Sequence, residues 1–241
     1  MSGRTSSGGP LARVRRVLFL ALAALIVAAL AWFAWIAAHV GWYRYNPPRE
    51  TAFMAQRMDE AHAKNPKLAL RYRWVPYAQI STQLKRAMIA AEDAKFTDHD
   101  GFDWEGIQNA LEKNRRKGRV VAGGSTITQQ LAKNLFLSPA KSYWRKGEEA
   151  VVTVLLEAML SKQRIFELYL NVIEWGNGVF GAEAAAERYF GVTAARLSAE
   201  QAARLAAMAP SPRLFERRPD SAYLAGRVET ILARMPSAAI P

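Results

Sequence analysis

The apolar positions form one unbroken run followed by a series of short periodic stretches. From Val17 to Ala38 the chain reads VLFLALAALIVAALAWFAWIAA, 22 residues without a charge. A helix needs about 20 such residues to cross the hydrocarbon core of a bilayer. Trp32, Phe33, Trp35, Trp42, Tyr43 and Tyr45 cluster at the C-terminal end of the run, as an interfacial belt does. Arg4, Arg13, Arg15 and Arg16 precede it, and no acid appears before Glu50. Positive-inside reasoning puts the N-terminus in the cytoplasm and the rest outside. A buried core helix that is apolar all round would exceed what a domain of this size hides. A cleaved signal peptide has an apolar region of about 7–15 residues and a small-residue cleavage site, whereas this run is longer and bulky near its end. The reading is therefore a cytoplasmic tail over 1–16, a transmembrane anchor over 17–38, a juxtamembrane linker over 39–50 and an extracytoplasmic domain over 51–241.

Beyond Pro47-Pro48 the pattern is helical almost throughout. Helices are predicted over 51–63, 81–94 (with Leu84, Ala87, Met88 and Ala91 on one stripe), 126–136, 142–161, 164–172 and 181–190. Ser142 is a candidate N-cap, and Ser198 with Gln201 is a capping-box pattern opening a helix that stops before Pro210. One more helix is expected from Ser221. Residues 70–80, around Pro76, read as an extended connector. Residues 113–128 and the stretch EWGNGVFG at 174–181 read as loops. There are no repeats, no heptads and almost no strand signal, so the domain is predicted to be mainly α.

Composition narrows the chemistry. The 241 residues contain no cysteine, which removes disulfides and every Cys-based metal site or nucleophile. His39, His62 and His99 are too scattered for a His-only metal site, and no metal-ligating residues are assigned. The formal net charge is +12, and residues 51–241 alone carry 27 bases against 20 acids. The domain is basic in its own right, which points to an anionic partner: a membrane surface, a phosphate-bearing ligand or nucleic acid. The charge is lopsided. Nine bases lie from Lys113 to Lys146, with no acid between Glu112 and Glu148. Lys133, Lys141, Arg145 and Lys146 fall on separate elements around a double glycine, which suits a phosphate or pyrophosphate cradle better than a solvated face does.

Three stretches carry candidate chemistry. Glu92 follows Met88 by four residues and Leu84 by eight, so it stands at the edge of a buried stripe. A carboxylate there is half desolvated, its pKa is raised, and it suits general-base work; a salt-bridged structural acid is the alternative. In GGSTITQQLAKN (123–134) the glycines let backbone N–H groups approach an anion, and a helix begins just after them. It is not a Walker A sequence, and a plain capped turn is the alternative. In RKGEEAVVTVLLEAML (145–160), Arg145 lies four residues and Lys146 three residues before Glu149, on one helical face. That is either a second inward carboxylate among cations or a routine ion pair.

The order EDAKFTDHDGFD, GGSTITQQLAKNLF, RKGEE, ELYLNVIEWGNGVFG, AAAERYFG resembles the biosynthetic peptidoglycan glycosyltransferases, glycosyltransferase family 51, from about Ile80 to Pro212. The short length and single anchor resemble the monofunctional branch. The resemblance implies a lysozyme-like, mainly helical, two-lobed glycosyltransferase domain preceded by one transmembrane helix, with its small lobe near the membrane. It implies polymerisation of lipid II into β-1,4-linked glycan strands at the outer face of the cytoplasmic (inner) membrane, with release of undecaprenyl diphosphate. The family's catalytic base falls on Glu92 and its second essential carboxylate on Glu149. Substrate-binding positions fall on Ser125, Thr126, Gln129, Gln130, Lys133, Asn134, Lys141, Arg145 and Lys146. Lys141 stands where some members carry Arg, which loses bidentate phosphate contact there. Gln108-Asn109-Ala110 follow Ile107 where an Arg is common in bifunctional relatives.

A diphosphate leaving group needs charge neutralisation more than protonation. The resemblance thus leaves Glu92 to deprotonate the acceptor hydroxyl and the cations to receive the leaving group, with room for a divalent cation (Mg or Mn) and no organic cofactor. The expected partners are lipid II, the growing strand and the membrane, with transpeptidases or division proteins working beside it. Two other classes compete. A lytic enzyme on the same fold also uses carboxylates but has no need of a basic cradle. A membrane-tethered binder of anionic lipid or nucleic acid would use 113–119, although that stretch lacks the interleaved aromatics of nucleic-acid binders.

Overall fold

The computed structural model describes residues 10–119, 123–137 and 143–241. Lys141 and the Ser142 cap lie outside the described residues.

The apolar run is part of α1 (Pro10–Tyr43), a helix of 34 residues. At 1.5 Å per residue it is about 50 Å long. Leu18, Phe19, Leu25 and Leu30 lie bare on its surface, whereas Ile36 and Val40 are fully buried against the domain. The helix thus runs five residues into the segment read as linker, because its last turns have a partner to pack on. It is long and apolar enough to cross a membrane.

The domain is built from ten further helices and one small sheet among the described residues. The helix α2 (Ala52–His62) is capped by Thr51, and α3 (Thr82–Glu92) by Ser81. Residues 113–117, expected as loop, are the end of a helix, α4 (Trp104–Lys117). Asp103 caps its start, three bases sit in its last turn, and Gly118 closes it in the left-handed region. Only Ala110 on it is buried. Its stability is local, from caps and dipole-matched charge, so the apolar-stripe criterion passes over it.

The helices α5 (Ile127–Phe136), α6 (Tyr143–Met159) and α7 (Lys162–Val172) pack together at the centre, with α2 against α5 and the end of α1 against α6. Five aromatics, Phe96, Phe166, Tyr169, Trp175 and Phe180, are fully buried in this core. Next come α8 (Ala182–Phe190), α9 (Ala199–Met208), the short α10 (Pro212–Arg217) and α11 (Ala222–Arg234). The last of these and α9 both pack on α3. The Ser198–Gln201 capping box forms as its sequence requires.

The stretch 174–181, expected as loop, is instead a buried hairpin of β2 (Glu174–Gly176) and β3 (Val179–Phe180). The turn is Asn177-Gly178, with Gly178 at φ 72°, a strong hairpin signal. A third strand, β1 (Arg71–Tyr72), joins β3 in parallel, giving the order β1-β3-β2. The strands are too short for alternation to show. Gly181 follows at φ 82°, where a Cβ would stand 2.5 Å from the Asn171 carbonyl oxygen, so the backbone passes there only without a side chain.

Candidate active site

A groove of about 380 Å³ opens between α3, α5, α6 and α11. Its walls carry Glu92 and Ala91 from α3, Ser125 from the turn before α5, Gln129, Gln130 and Lys133 from α5, Glu149 from α6, and Arg227 from α11.

Glu92 is the last residue of α3 and is half-buried. Gln130 Nε2 donates to its Oε2 at 2.9 Å, and Tyr169 O–H donates to Gln130 Oε1 at 3.1 Å. The buried tyrosine therefore fixes which end of the amide faces the carboxylate. Desolvation pushes the Glu92 pKa up; the Gln130 hydrogen bond and the charges of Arg227 and Lys133 pull it back in part. Its place at a helix C-terminus, where the carbonyl dipoles point, acts in the same direction as burial.

The neighbouring Asp93 serves the fold. Its Oδ2 accepts from Ile127 N–H at 3.0 Å, tying α3 to the first turn of α5. His99 Nδ1 accepts from Gly101 N–H, which leaves the ring proton on Nε2, 3.0 Å from Asp93 Oδ1.

Glu149 is 3% exposed. Arg145 Nη1 donates to its Oε2 at 2.7 Å, and Lys146 Nζ donates to Oε1. The i,i+4 and i,i+3 spacings read from the sequence form as real pairs. Lys133, one helix away, feels the field of this cluster. Burial holds its ammonium below the usual lysine range, and the Glu149 charge works against that. The groove thus has a desolvated carboxylate at Glu92 and a cationic end around Lys133.

Not every expected binding residue faces the groove. Thr126 is buried in a capping box: its Oγ1 accepts from Gln129 N–H and donates to the Gly101 carbonyl at 2.7 Å. Its backbone N–H is taken by Gln129 Oε1 at 3.0 Å, so that N–H is engaged in the helix cap rather than turned to the groove. Asn134 is buried and donates to the Gln130 carbonyl at 2.7 Å. The Lys146 side chain is 49% exposed and is tied to Glu149. Conversely, Arg227 and Tyr169 were not expected at the site. Arg227 lines the groove beside Pro210, and its buried Nε finds no acceptor among the described residues.

No group of three or more His, Asp and Glu side chains among the described residues could hold a metal ion. Glu149 is already engaged by two cations. The protein groups do not by themselves fit a divalent cation.

The mainly helical domain, with a half-buried carboxylate and a cationic cluster in one groove, fits the lysozyme-like glycosyltransferases, and the sequence match places it there. The chain belongs to the transglycosylase family, whose sequence model matches residues 56–236. It is 59% identical over 226 residues to a biosynthetic peptidoglycan transglycosylase of Dechloromonas aromatica (strain RCB), covering 94% of this chain and 98% of that one. Proteins of the same description from Azoarcus sp. (strain BH72) and Nitrosospira multiformis are each 57% identical. They cover 92% and 86% of this chain, and 95% and 90% of their own.

Proposed function

We propose that this chain is a peptidoglycan glycosyltransferase that polymerises lipid II into β-1,4-linked glycan strands in cell wall synthesis. The observation that carries the reading is Glu92, desolvated and held by Gln130 in the same groove as Lys133. In this mechanism the acceptor sugar's 4-hydroxyl gives its proton to Glu92 as the oxygen attacks the anomeric carbon of the growing chain. The bond from that carbon to the diphosphate breaks as the new bond forms on the opposite face, so α becomes β. The leaving diphosphate takes the electron pair, and Lys133 neutralises its charge, with Arg145 and Lys146 held alongside by Glu149. Ser125, exposed at the groove's mouth, and Gln129 are placed to donate to substrate oxygens. No step is assigned to a metal ion.

In the same reading α1 spans the inner membrane once, with the arginine-rich end in the cytoplasm and the groove outside. The groove then works where the lipid tails of both substrates remain in the bilayer. Transpeptidases and division proteins are the partners whose work follows from such a polymer. Incubation of the solubilised protein with labelled lipid II, wild type beside Glu92→Gln, tests the reading. Muramidase-sensitive polymer from wild type alone is the expected result. Soluble fragments released from isolated cell wall would mark a lytic enzyme instead, and salt-dependent binding without turnover a tethered binder.

A further inference from the structure

The end of α1 is mounted on the catalytic domain rather than tethered to it. The last carbonyls of a helix have no intrahelical partner. Here Arg164 supplies one: its Nε donates to the Tyr43 carbonyl at 2.7 Å and its Nη2 to the Asn46 carbonyl at 2.9 Å. The guanidinium also places positive charge at the negative end of the helix dipole. Its remaining side is held from the domain. Nη1 donates to Glu167 Oε2 at 2.5 Å, Glu167 Oε1 accepts from Tyr77 N–H at 2.7 Å, and the guanidinium lies 5.1 Å from the centroid of the Trp74 ring.

A second tie reaches the groove itself. Phe136 is the last residue of α5, the helix that carries Gln130 and Lys133. Its ring meets Trp35, His39 and Tyr43 at centroid distances of 6.0, 6.4 and 5.9 Å. Those three residues are spaced by four along one face of α1. On the far side Tyr72 O–H donates to the Pro48 carbonyl at 2.7 Å. Arg164 therefore grips the chain on both sides of the exit from α1, while the groove's central helix ends against the anchor.

We propose that Arg164 is a positioning residue that fixes the height and tilt of the groove over the bilayer. The inference rests on the reading of the substrates as lipid-linked. A substrate whose tail stays in the hydrocarbon presents its reacting carbon at a set height above the membrane. A groove held at that height keeps both reactants in attacking geometry, whereas one on a loose tether averages over many heights and loses that advantage. The guanidinium fork is suited to the task because one rigid plane reaches two carbonyls and a carboxylate at once.

The test uses the full chain in vesicles containing anionic phospholipid, as wild type, Arg164→Ala and Arg164→Lys. The chain has no cysteine, so a single label at an exposed Glu229→Cys reports the distance distribution from domain to bilayer surface. Polymerisation is followed with long-tailed lipid II in the vesicles and with a short-tailed, water-dispersible analogue in solution. Arg164→Ala is expected to broaden the distance distribution and to slow the vesicle reaction at least tenfold, with the short-tailed rate within twofold of wild type. Arg164→Lys should fall between them. An unchanged distance distribution, or equal loss on both substrates, would overturn the inference. If Arg164→Ala does not fold, Phe136→Leu, which keeps apolar bulk but loses the ring contacts, should broaden the distribution in the same way; a narrow one overturns it. Wild type that polymerises neither substrate would sink the functional reading, and the distance measurement would still judge the mount.

Discussion

Gln130 Nε2 reaches Glu92 Oε2 at 2.9 Å, joining the last residue of α3 to the fourth residue of α5. Burial raises the carboxyl's pKa, and this bond offsets part of that rise.

A general base works only when deprotonated. Burial raises the Glu92 pKa, so the acid limb of kcat/KM against pH is expected above the ordinary glutamate value of about 4.3. Glu92→Gln should cut the polymerisation rate by about 10²- to 10⁴-fold. The folded state disfavours the Glu92 charge, so the carboxyl's stabilising contribution is lost as pH rises through its raised pKa. The variant's Tm at neutral pH should therefore equal or exceed that of wild type, and a lower Tm would contradict this account.

Gln130→Ala removes a bond that lowers the Glu92 pKa. The acid limb should then move to still higher pH. Tyr169→Phe frees the amide to turn and should shift the limb the same way by less. It should also cost about 1 kcal/mol of stability, read by denaturant titration.

Glu149→Gln leaves Arg145 and Lys146 without the carboxylate they share. Stability should fall by about 2 kcal/mol. The Lys133 pKa should drop further, because Glu149 is what supports its charge. Lys133→Ala should lower kcat about 10²-fold by leaving the departing diphosphate without its nearest cation. Single-turnover kinetics would separate that loss from weaker binding.

Asp93→Ala should cost about 1–2 kcal/mol, since Ile127 N–H in the first turn of α5 loses its acceptor. Asp93→Asn keeps one acceptor oxygen and should cost less. Equal losses in the two variants would show that the contact with His99, rather than the tie to α5, sets the penalty.

Some of the site was legible because its contacts are local. The Arg145, Lys146 and Glu149 pairs follow from helical spacing alone, and so does the position of Glu92 at the edge of the Leu84–Met88 stripe. At Thr126 the local string left two readings open, an anion cradle or a capped turn, and a reciprocal cap forms: Gln129 Oε1 accepts from Thr126 N–H, and Thr126 Oγ1 accepts from Gln129 N–H. The hairpin at Asn177-Gly178 was missed for a different reason. Strands of two and three residues, buried on both faces, show no alternation.

The sequence by itself determined the anchor-length helix, the helix starts at Thr51, Ser81, Ser198 and Ser221, and the cations around Glu149. The anchor rests on one continuous apolar run matched to bilayer thickness, and the others rest on interactions within four residues, which the 3.6-residue period of a helix fixes in advance. Only the tertiary structure decided that Gln130 faces Glu92, that Tyr169 orients Gln130, and that Arg227 reaches the groove from α11, 135 positions along the chain from Glu92. It also decided that Arg164 grips the end of α1, 121 residues away. Those contacts depend on the angles at which helices pack, and packing angles arise from the whole core rather than from any one segment's pattern.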